Sequence, residues 1–164
     1  MNTPRETFVA ELSMEDREWI EADPRPVIYV SAGTITSLTQ EQVEKLLTSL
    51  VSDKFRVIWK ISRKAVRSTN TLKSIRIVDW LSLTLDHLAH YNVKLFVSHC
   101  DVNSAYESIW LGTPILCLSM FADQFEMGHQ IHDTGVGIML DKLKFTSNHL
   151  TSSIHSLLED RNFN

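Results

Sequence analysis

The sequence predicts an α/β protein built on a doubly wound parallel sheet, and three observations predict it. Short apolar runs recur along the chain at Val27 to Val30, Arg56 to Ile61, Ile75 to Val78, Leu95 to Val97, Ile115 to Leu118 and Gly135 to Leu140. Segments of helical spacing lie between them, the alternation expected of parallel strands joined by crossover helices. No repeat or linker interrupts the series. Right-handed crossovers onto one sheet are then the economical topology, and ligands belong at the carboxyl edge of its strands.

The elements follow in order. Leu12 to Ala22 is charged and weakly amphipathic, a short surface helix that ends before Pro24 and Pro26, because proline lacks the N–H a helix needs. Residues 1–26 form an entry segment and residues 27–164 the main domain. Val27 to Val30 is a compact strand, and the small residues Ser31 to Thr34 after it make a turn. Thr39 to Val51 is a covering helix, with Val43, Leu46, Leu47 and Leu50 on one stripe and Thr39 paired with Gln42 as a capping box. Arg56 to Ile61 is a strand, Ser62 to Ser74 a basic surface connection, and Ile75 to Val78 a strand leading into Trp80. Leu81 to His90 is a short helix.

Lys94 to Gln124 carries the most information. Leu95 to Val97 suits a strand buried on both faces. A helix follows from Asn103, with Tyr106, Ile109 and Trp110 as its packing face and Asn103 and Glu107 on the other, and Gly112 with Pro114 closes it. A helix that starts directly after a parallel strand aims free N–H groups and the positive end of its dipole into the crevice, which makes an anion site. A helix beyond Gln124 carries Met127, Gln130 and Ile131, with Gly128 small enough for close packing. Ser147 to Glu159 is the last helix, with Leu150, Ile154, Leu157 and Leu158 inward.

Composition sets the outer limits. A chain of 164 residues, 43% hydrophobic and 22% charged, suits one soluble domain, and its net charge of -4 gives no reason to expect nucleic acid as a partner. The first twenty residues lack the apolar core of a signal peptide, and no run is long enough to span a membrane, so a cytoplasmic location is expected. Cys100 and Cys117 make no disulfide framework, and reduced thiols are the simpler expectation. The first strand is not followed by G-x-G-x-x-G, and no nucleophile elbow occurs. His87 with His90 and His129 with His132 have no cysteine or carboxylate cluster to complete a metal site, and His129 and His132 read as surface residues.

Several side chains keep two readings on chemistry alone. Gly33 makes a tight turn or lets backbone approach a ligand. His99 is a satisfied core histidine or a hydrogen-bond donor to an anion. Asn103 and Ser104 cap the helix, bind phosphate, or do both. Trp80 is core or a stacking platform, while chemistry alone makes Glu107 a solvent-facing carboxylate and Asp123 and Gln124 the start of a helix.

Trp80, His90, Phe96 to Cys100, Asn103-Ser104, Glu107, Gly112, Pro114 and Phe121 to Gln124 stand in an order that resembles the donor-binding signature of the UDP-glycosyltransferases. The match runs from about Val27 to the last helix, and its most specific pieces are His99 to Glu107 and the Asp123-Gln124 pair. The resemblance implies a Rossmann-like domain, the C-terminal, nucleotide-sugar-binding half of a GT-B enzyme of the family 1 type. In such enzymes a base in the other half deprotonates an acceptor hydroxyl, which attacks the anomeric carbon of a UDP-sugar and expels UDP. The donor is a co-substrate, and no metal or other cofactor takes part. The resemblance further implies a diphosphate held by His99, Asn103 and Ser104 with Gly33 and Thr34 nearby. Trp80 and Glu107 then meet the base and ribose, and Asp123 and Gln124 the sugar. A small lipophilic acceptor would be held by an N-terminal half upstream of Met1 or by a partner chain, and the catalytic base with it.

The chain departs from the family in four places. Ser82 and Leu83 stand where Pro-Gln is usual, Ser119 replaces a common proline, and Asp101 stands where glycine is usual. A carboxylate roughly 4 Å from a phosphate costs on the order of 4 kcal/mol at an effective dielectric of about 20, unless it turns away or pairs with a cation. The alternative expectation is therefore a non-catalytic nucleotide-sugar-binding or regulatory module, or a partial gene product.

Overall fold

A computed structural model describes residues 12–32, 38–66, 73–79, 84–119, 122–141 and 143–159. Its strands are β1 (Val27–Ser31), β2 (Arg56–Lys60), β3 (Ile75–Val78), β4 (Val93–Ser98), β5 (Ile115–Ser119) and β6 (Gly137–Asp141). Its helices are α1 (Met14–Glu21), α2 (Gln40–Leu50), α3 (Thr84–Ala89), α4 (Val102–Trp110), α5 (Ala122–Thr134) and α6 (Ser147–Glu159). The strands form one sheet in the order β3-β2-β1-β4-β5-β6, and every pairing is parallel. The doubly wound expectation holds, with strand order reversing between β1 and β4.

Alternate strand residues feed two separate cores, as the pleat requires. Ile28, Val30, Val57, Trp59, Leu95 and Leu116 pack under α2 and α6 through Val43, Leu46, Leu150 and Ile154. Tyr29, Ile58, Phe96 and Ile115 pack on the other face with Ile20 of α1, Leu88 of α3, Ala105 of α4 and Ile131 of α5. Burial on both faces is why β1 and β5 are buried at every position and read as uninterrupted apolar runs. The capping box forms: Thr39 N–H donates to Gln42 Oε1 at 2.9 Å, and Gln42 N–H to Thr39 Oγ1 at 3.3 Å.

Helix α1 is tied down more firmly than a surface helix. Its Asp16 and Ile20 are buried, and Asp16 lies 3.1 Å from Arg76 of β3 and 3.5 Å from His87 of α3. Buried Arg56 donates to the carbonyls of Trp19 (2.6 Å), Ile20 (2.5 Å) and Asp23 (2.8 Å), closing the carboxyl end of α1 with a cation. Arg25 beside it holds the Asp23 carboxyl down at about 2, chiefly through side-chain hydrogen bonding. At the opposite side of the sheet, β5 and β6 approach so closely that a Cβ on Gly137 would run into the Ile115 carbonyl, while one on Gly128 of α5 would lie 2.8 Å from Ser119 Oγ. Gly137 therefore excludes any larger residue, whereas at Gly128 the side chains of Ser119 and Met139 would have to give way.

Candidate functional site

The carboxyl ends of the central strands fall in one row. Parallel register sets Ser31 beside Lys60 on one side and Ser98 on the other, and Ser98 beside Cys117. A narrow recess opens above this row, lined by Ser31, Ala32, Ser98, His99 and Leu118. It lies where strand order reverses, the place at which an open α/β sheet leaves a crevice.

His99 leaves β4 directly into this crevice and is only 8% exposed. Its buried Nδ1 has no hydrogen-bond partner among the described residues, and Nε2 lies 3.6 Å from Asp101 Oδ2. Between them Cys100 takes a positive φ of 59°, a conformation uncommon outside glycine, and its N–H donates to Ser98 Oγ at 3.0 Å. This turn carries Cys100 over the neighbouring strand, where it is bonded to Cys117 across a Cα separation of 5.4 Å, well inside disulfide range. The expectation of reduced thiols is corrected here. The two residues stand 17 apart in sequence, and only the β4–β5 register with the left-handed turn brings them together.

The start of α4 also differs from expectation. Neither Asn103 nor Ser104 caps it. Asp101 is the N-cap, its Oδ1 accepting from the Ser104 N–H at 2.9 Å, so Asn103 and Ser104 lie inside the first turn, the former exposed and the latter half-buried. Glu107 is half-buried one turn further on. Burial pushes its carboxyl above the ordinary 4.5, and the Asp101 carboxylate adds to the effect. Burial chiefly, with Glu107 and Asp16 in support, pushes the Tyr29 hydroxyl beneath up to about 12.

The packing face of α4 is the reverse of the predicted one. Ala105 and Ser108 are buried, whereas Tyr106 is 64% and Trp110 67% exposed, with Val102 and Ile109 beside them on the outer side. Small residues let the helix lie close to the sheet and to α3, where Ser108 Oγ donates to the Thr113 carbonyl at 2.6 Å and Thr113 Oγ1 to the Leu88 carbonyl at 3.3 Å. Gly112 closes the helix as expected, with φ of 61°.

Asp123 and Gln124 lie in the first turn of α5. Gln124 is buried, and its carbonyl accepts from Ser119 Oγ at 2.9 Å, so the serine that stands in place of a common proline ties β5 to α5. Gly33, Thr34, Trp80, Ser82 and Leu83 lie outside the described residues. The structure thus gathers His99, Ser104 and Glu107 around Asp101 at the mouth of one helix. Sequence reasoning missed Ser98 and Cys117 as neighbours of this mouth. Ser98 ends β4 and Cys117 is the middle residue of β5, and only the parallel register sets them side by side. His129 and His132 are exposed, as expected.

Six parallel strands in this order, with helices on both faces, make the domain Rossmann-like, of the kind found in GT-B glycosyltransferases. A solved structure of UDP-glucose: anthocyanidin 3-O-glucosyltransferase in complex with UDP superposes with a TM-score of 0.78 at 25% identity, over 93% of this chain and 36% of that one. The chain belongs to the UDP-glycosyltransferases, for the family model described as UDP-glucoronosyl and UDP-glucosyl transferase matches residues 8–164. Among curated relatives, UDP glycosyltransferase 9 of Catharanthus roseus is 32% identical over 122 residues, covering 68% of this chain and 26% of that protein. Anthocyanidin 3-O-glucosyltransferase UFGT of Vitis vinifera is 31% identical over 149 residues, covering 86% of this chain and 32% of that protein. The chain therefore spans about a quarter to a third of the length of these relatives.

Proposed function

We propose that this chain is the donor-binding part of a UDP-glycosyltransferase, residues 27–164 forming the nucleotide-sugar domain and residues 1–26 leading into it. The observation that carries this reading is the His99 to Glu107 stretch of a family member standing at the point of strand reversal, with the amino end of α4 facing the crevice. In the proposed pose His99 and the first-turn amides of α4 meet the diphosphate, Glu107 and Trp80 the ribose and base, and Asp123 and Gln124 the sugar, with Gly33 and Thr34 beside the phosphates.

The chemistry assigned to this part is electrostatic. Fixed donors aimed at the departing diphosphate favour charge building there, and no resident cofactor is needed for that step. The base and the acceptor pocket belong to another half or a partner chain, so the chain alone should transfer no hexosyl group: proximity of acceptor, base and donor supplies much of the rate. Isothermal titration with UDP, UDP-glucose and NAD tests the binding claim, and preference for NAD, or silence toward uridine nucleotides at millimolar levels, would sink it. Donor hydrolysis or transfer by the purified chain, abolished by His99→Ala, would overturn the claim of inactivity.

A further inference from the structure

We propose that Asp101 is a built-in competitor for the ligand's phosphate, which limits the negative charge a ligand can bring to the mouth of α4; this rests on the reading of the crevice as a nucleotide-sugar site. One oxygen of its carboxylate accepts the Ser104 N–H at 2.9 Å, and the other lies 3.6 Å from His99 Nε2. An anion in this crevice would meet the same amide and the same imidazole, and one side chain already holds the first and lies against the second. Among the described residues no lysine or arginine pairs with Asp101, and the nearest basic side chain is the His99 imidazole, whose Nε2 lies 3.6 Å away. Its negative charge is felt beyond the cap, since it helps hold the Glu107 carboxyl up.

An arriving diphosphate must turn this carboxylate out and then sit beside it. The Asp101 side chain is 39% exposed, so solvent can receive it once displaced, and the cost falls on charged ligands alone. Uridine, which brings no phosphate, leaves the pair between Asp101 and His99 in place. Asp101 thereby sets specificity, weighting recognition toward nucleoside and sugar contacts and away from the diphosphate.

The test compares UDP and uridine on the native chain and on Asp101→Asn by isothermal titration. Asparagine caps a helix about as well as aspartate, so the variant removes the charge and keeps the cap; Asp101→Ser, another good cap, is the second variant should the first melt early. UDP should bind the variants at least tenfold tighter, which corresponds to about 1.4 kcal/mol, while uridine affinity stays within about twofold. A loss of cap strength alone would move both ligands together. Unchanged or weaker UDP binding in both variants, with uridine still bound, overturns the competitor role and leaves the site reading intact. Binding of neither ligand to any of the chains overturns the site reading itself, and the inference with it.

Discussion

Reduction of the Cys100–Cys117 bond should cost the fold about 3 kcal/mol. The bond closes a segment with a sequence separation of 17. The chain-entropy relation puts a loop of that size near 3 kcal/mol at room temperature, through the freedom returned to the unfolded chain. Both sulfurs belong to residues with no exposed surface, so reductant reaches them only when β4 and β5 part, and complete reduction must be verified by thiol counting before the comparison. Urea unfolding then gives the readout. With a slope of roughly 2 kcal/mol per molar, the loss appears as a midpoint lowered by about 1.5 M at unchanged slope. Coincident midpoints for the oxidised and fully reduced chain would refute the reasoning and leave the thiols as ordinary core residues. A fall in slope as well would mean that the reduced native state has loosened, so that the entropy relation no longer describes the difference.

Glu107→Gln should weaken UDP by about 1.5 to 3 kcal/mol, the loss typical of hydrogen bonds to a charged acceptor, and equal affinity by titration would assign Glu107 to the solvated surface. The same variant has a pH signature. The folded-state carboxyl is raised by burial and by Asp101, so the native state holds its proton more tightly than the unfolded chain, and stability is lost as pH rises through the raised value. Melting temperatures of variant and native chain should therefore coincide at acid pH, and the variant should be the more stable at neutral pH; the reverse order would contradict the assigned shift. Arg56→Met should cost about 3 kcal/mol or more, because it strands carbonyls of Trp19, Ile20 and Asp23, and hydrogen exchange should show α1 opening before the sheet. Uniform protection of α1 in that variant would mean that Asp16 and Ile20 hold the helix alone.

The sheet was legible because burial on both faces leaves each strand as a continuous apolar run, which periodicity finds without tertiary knowledge. The capping box at Thr39 and Gln42 and the glycine that ends α4 were legible for the same reason, since each depends on residues only a few positions apart. What escaped depends on contacts remote in sequence. Tyr106, Ile109 and Trp110 have helical spacing, yet Ala105 and Ser108 are the helix's buried residues. The disulfide depends on strand register, and the three carbonyls that accept from Arg56 lie more than thirty residues away. Within the site, Asp101 stood out as an anomaly, but nothing local said that its two oxygens would reach Ser104 and His99 together.

The strand order has a consequence for how the molecule assembles. β1, β2 and β3 are successive neighbours, as are β4, β5 and β6, so each triplet pairs through short crossovers, whereas β1 and β4 meet only after the whole first triplet and α3 have intervened. Pairing at such separation carries the largest loop-closure entropy in the sheet. The crevice beside His99 is thus the seam between two three-stranded halves. A ligand lodged there grips both halves, so its binding free energy adds directly to the stability of the seam. Saturation should slow the parting of β1 from β4 more than the opening of either outer edge.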